Sequence, residues 1–115
     1  MSRTLLLLVA LAACKKQEAA PAPAPEQNPM IPQVELKRGT DACHDYVAKV
    51  CACTAPAAKD ACALAKALPD AIEVGLQVAA NPDSERMSVL QANDSIRKTI
   101  KQCIELVAKL PMLGC

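Results

Sequence analysis

Seven cysteines in 115 residues constrain this chain more than any other feature. A chain of that length is one domain at most. Aromatic side chains, the largest suppliers of buried area, are almost missing: there is no Trp, no Phe, and Tyr46 is the only Tyr. Hydrophobic residues reach 52%, but Ala supplies many of them and buries little surface per residue. A small core of that kind is marginal unless something staples it. Charge excludes one class of function. Lys and Arg number 13 against 12 Asp and Glu, for a formal +1. A nucleic-acid binder needs a basic footprint or aromatic platforms for bases, and neither is present.

The first cysteine stands apart from the others. Arg3 precedes an apolar run from Leu5 to Ala13, and Cys14 follows directly. One cation and a short apolar stretch match the charged and apolar regions of an export signal. The run is well short of the roughly 20 residues that span a bilayer as a helix. Leu11-Ala12-Ala13-Cys14 resembles the lipobox of bacterial lipoproteins. The resemblance covers only this leader. It implies cleavage before Cys14, a diacylglyceryl group on its thiol and acylation of the new amino terminus, so that palmitate-type chains anchor the protein in a bilayer. Two or three chains exceed the single-chain regime of reversible binding. Lys15 follows the cysteine where inner-membrane retention is associated with Asp, so the resemblance implies the outer membrane, with an envelope protein as the expected partner.

From Gln17 to Thr40, Pro21, Pro23, Pro25, Pro29 and Pro32 interrupt Ala and polar residues. Proline fixes φ and removes a donor, which favours extended polyproline II and a semi-rigid spacer of about 3 Å per residue. The expected organisation is a signal peptide over 1–13, a lipidated cysteine and linker over 14–40, and a cysteine-rich helical domain over 41–115.

Within that domain every periodic stretch is helical. Thr40-Asp41 after Gly39 reads as an N-cap. The helix to Thr54 then places Cys43, Val47 and Val50 on one face with Tyr46 at its edge. Pro56 suits a first turn. Ala57–Leu68 carries Ala61, Leu64, Ala65 and Leu68 on one side, and Pro69 marks a break. Asp70–Ala80 presents Ile72, Leu76 and Ala79. Asn81-Pro82-Asp83 is a turn. The longest pattern runs from Ser84 to Leu110, with Val89, Ile96, Ile100, Cys103, Val107 and Leu110, and Pro111 and Gly114 end it. Met112 and Leu113 either fold back on the core, the default, or form part of an interaction surface. The predicted fold is all-α, a bundle of three to four short helices with no strand.

Cys43, Cys51, Cys53, Cys62, Cys103 and Cys115 form an even set in an exported small domain, which reads as a disulfide framework. Cys43 and Cys51 lie about 12 Å apart along a helix, too far to bond. Cys51 and Cys53 point to opposite flanks and should reach different neighbours. Cys62 sits just across the Thr54–Pro56 turn. If the last helix runs antiparallel to the first, the pairing is Cys51–Cys62, Cys53–Cys103 and Cys43–Cys115, with exchange of Cys51 and Cys53 nearly as good.

The alternative is a periplasmic Cu(I) or Zn protein using Cys43, His44, Cys51 and Cys53 as soft ligands. Against it, the spacing is Cys-x-Cys and His44 is the only His. Catalysis has less support. There is no Cys-x-x-Cys for redox work, no Gly-x-Ser-x-Gly elbow and no carboxylate pair. The expectation is a non-enzyme without cofactor: an anchored, stapled interaction or structural module.

Overall fold

The computed structural model describes residues 30–115, and its elements are helices throughout. They are α1 (Gln33–Ala52), α2 (Pro56–Ala65), α3 (Ala67–Ala80) and α4 (Arg86–Lys109), followed by a 3₁₀ turn over Leu110–Leu113. The signal peptide and Cys14 lie outside the described residues.

α1 begins at Gln33, inside the stretch expected to be linker, and not at Asp41. Pro32 precedes it at φ −55°, and Glu35 in the first turn and Lys49 in the last complement the helix dipole. Gly39 is therefore no helix start. It is buried in mid-helix, where a Cβ would overlap the γ and δ carbons of Ile100. Its missing side chain is what lets α1 and α4 approach. Gly75 plays the same part between α3 and α4, where a Cβ would lie 2.7 Å from Ile96 Cγ1.

Pro56 opens α2 as its first residue. Between α2 and α3, Lys66 stays helical at φ −60°, ψ −25°. The break is only the bond that Pro69 cannot donate to the preceding turn. Pro69 falls in the first turn of α3, where proline is tolerated. The real reversal is at Asn81, whose Oδ1 accepts from the Asp83 N–H at 2.9 Å while the Ser84 hydroxyl donates to the Val78 carbonyl at 2.8 Å. α4 then continues unbroken through Asn93-Asp94-Ser95.

α2 and α3 thus form a single descending leg. α2 starts beside the carboxyl end of α1, and α3 ends beside Met30 and Ile31. The path has three legs, so α4 runs parallel to α1. The register is visible in successive contacts: Glu35 with Arg97 at 2.9 Å, Gly39 with Ile100, and Cys43 with Cys103. This overturns the antiparallel assumption and with it two expected bonds. Cys51–Cys62 forms as expected, but Cys43 pairs with Cys103, not Cys115, and Cys53 pairs with Cys115, not Cys103. An antiparallel last helix requires four alternating legs, and the Lys66 junction removes one.

The core divides in two. Near Met30, Ile31, Ile72, Ile96 and Ile100 pack around Cys43 and Cys103. At the other end Tyr46, Val50, Ala58, Ala65 and Leu110 pack beneath Cys53 and Cys62. Leu64, expected on the inner face of α2, is 76% exposed. α2 turns Ala58 and Ala65 inward, and small residues allow the 4.8 Å Cα–Cα approach of Cys51 and Cys62. Leu113 is half-buried as expected, whereas Met112 points out at 84%.

Candidate functional site

The cysteine pole is built from four local features. Cys51 lies in the last turn of α1. Cys53 is its C-cap, with extended backbone at φ −74°, ψ 133°, so its side chain leaves the helix direction that Cys51 follows. Cys62 sits mid-way along α2. Cys115 follows Gly114, whose left-handed φ of 84° turns the chain after the 3₁₀ segment and lets the Cys115 N–H reach the Leu110 carbonyl at 3.2 Å. Cys51–Cys62 and Cys53–Cys115 therefore staple α2 and the chain's last turn to the same end of α1, with Cα–Cα distances of 4.8 and 5.6 Å. Both fall in the usual range for unforced bridges. Cys51 and Cys115 are exposed, and Cys53 and Cys62 half-buried. Cys43–Cys103 differs, because both residues are 0% exposed.

His44 is exposed beside Cys43. The structure does not gather the alternative ligand set: Cys43, Cys51 and Cys53 are bonded to three different partners. Among the described residues no group of three His, Cys, Asp or Glu side chains is placed to hold a metal ion. No helix among them is long and apolar enough to cross a membrane.

The remaining candidates are apolar clefts. One of about 620 Å³ lies at the Met30 pole, where Met30, Leu36, Leu76, Pro82 and Val89 surround the end of α3. A second, about 690 Å³, follows the α1–α4 seam over Gly39 and Ile100, with Val34 and Ile104 on its walls and the Glu35–Arg97 pair on its rim. A third, about 370 Å³, lies at the cysteine pole. Tyr46, expected at a helix edge, is 3% exposed and lines this cleft together with Leu106, and Leu64 and Met112 line it too. Chemically these surfaces offer van der Waals contact and apolar burial, the means of an interaction module. Sequence reasoning missed Met30 and Val34 because they lie in the stretch taken for linker, and Leu64 because its spacing fits a helical stripe. Neither a family model, nor a curated protein, nor a solved structure matches the chain.

Proposed function

We propose that this chain is an exported bacterial lipoprotein, held in a bilayer through acylated Cys14, whose disulfide-clamped helical module is a structural or protein-binding element of the cell envelope and not a catalyst. The observation that carries the reading is cysteine bookkeeping. The six cysteines from Cys43 to Cys115 are consumed by bonds among themselves. None of them needs Cys14, whose thiol is left for acylation in a leader of lipobox type. Three bridges in a domain this small also fit an oxidising compartment outside the cytosol. The outer membrane is the proposed location, on the strength of Lys15, and an envelope protein is the proposed partner.

Metabolic labelling with an alkyne fatty acid tests the anchor. The wild-type chain is expected to carry label, to have a mass beginning at Cys14 and to fractionate with membranes. The C14S variant should lose label and membrane association together. An unlabelled wild-type chain, or label that persists in C14S, overturns the anchored reading.

A further inference from the structure

The three bridges are not equivalent targets for a reductant. Thiol–disulfide exchange needs a thiolate to reach a sulfur, so access governs which bond opens. Cys43 and Cys103 are 0% exposed, enclosed by Ile72, Ile96 and Ile100. Cys51 and Cys115 each present an exposed residue to an incoming thiolate at the opposite pole. The two groups of bonds also hold different things. Cys43–Cys103 ties α1 to α4 through the branched core. Cys51–Cys62 ties down α2, whose only buried residues are Ala58 and Ala65. Those alanines, with Ala61 and Cys62 half-buried beside them, bury too little apolar surface to hold a ten-residue helix in place once its staple is gone.

We propose that the cysteine pole is a redox-operated latch: a small dithiol opens Cys51–Cys62 and Cys53–Cys115 while Cys43–Cys103 stays closed, releasing α2 and the last turn from an intact α1–α3–α4 bundle. At each pole bond the dithiol's thiolate attacks the sulfur of the more exposed residue, Cys51 or Cys115, and forms a mixed disulfide, while Cys62 or Cys53 leaves as thiolate and takes a proton. The dithiol's second sulfur then displaces the first protein sulfur, which is protonated in turn. The dithiol is oxidised to its own disulfide, and the protein gains two electrons and two protons per bond. The released state carries thiols at Cys51, Cys53, Cys62 and Cys115 and uncovers Tyr46 and Val50, which pack against Ala58, Ala65 and Leu110 in the closed form. The proposal does not depend on acylation of Cys14.

Graded dithiothreitol on the folded wild-type chain, quenched with iodoacetamide and mapped by tryptic peptides, tests it directly. Cleavage after Lys and Arg places Cys43, Cys62, Cys103 and Cys115 in separate peptides, Cys51 with Cys53 in 50–59, and Cys14 elsewhere. The four pole cysteines are expected to be alkylated at least tenfold faster than Cys43 and Cys103, whose peptides remain joined. Hydrogen exchange on that intermediate should show lost protection over 56–65 and 110–115 with protection kept over 86–103. Modification of Cys43 and Cys103 together with, or before, the other four overturns the order of opening. Retained protection of α2 after its bond has opened overturns the release.

Discussion

The two halves of this bundle solve the same problem by different means. Around Cys43–Cys103, Ile72, Ile96 and Ile100 supply burial, and two glycines let the helices approach closely enough to make it. Around the cysteine pole the inward residues of α2 are alanines, and two of the three bridges are concentrated there. Val50 and Leu110 are branched there too, but α2 brings only alanines to them, and covalent bonds hold the helix instead. A large buried side chain contributes about 1.5 to 3 kcal/mol, and a bridge about 2 to 4 kcal/mol, so the exchange is roughly even.

Substitutions that remove one means at a time sharpen or break this comparison. The largest loss is expected for C43A/C103A, which opens a bond spanning 60 residues inside the core. Chain entropy alone assigns that bond about 4 kcal/mol, so cooperative thermal unfolding by circular dichroism should collapse toward the marginal. A mild effect would mean that the isoleucines suffice without the bridge. C51A/C62A removes a loop of separation 11, worth about 3 kcal/mol. Here the loss should be local, with faster hydrogen exchange over α2 and little change over α4. Equal loss across both would erase the distinction between halves. G39A should cost about 1 to 3 kcal/mol through overlap with Ile100. Adding I100A should recover part of that loss in a double-mutant cycle. L64S, on an exposed residue, should leave chemical denaturation within about 0.5 kcal/mol of wild type. A large effect there would show that α2 is held by more than its alanines and its staple.

Much of the architecture was legible in the sequence because it is local. Asn81-Pro82-Asp83 marks the one true reversal between α3 and α4, and the stripe from Val89 to Leu110 locates the long helix. Cys51–Cys62 follows from two cysteines flanking one short turn. Direction was harder to see. Pro69 looks like a boundary between legs, yet a proline in a first turn costs almost nothing and Lys66 keeps its helical backbone, so α2 and α3 descend together. That single junction reverses α4 relative to α1 and exchanges two disulfide partners. Gly39 misled for a related reason. Glycine beside Thr-Asp is a reasonable helix start, and only the approach of Ile100 shows that the missing Cβ is needed for packing. The exposed Leu64 was hidden by periodicity, which identifies a stripe without saying how wide the neighbouring helix allows it to be.

Parallel α1 and α4 also set how the molecule would carry load. Residue 30 sits at one pole and Cys115 at the other, and Cys53–Cys115 connects the end of α1 to the end of the chain. Tension applied between those two points has two covalent routes beyond Cys43: along α1 and across Cys53–Cys115, or across Cys43–Cys103 and along the end of α4. α2 and α3 lie on the longer loop that both routes bypass, so either bridge can be cut without loading them.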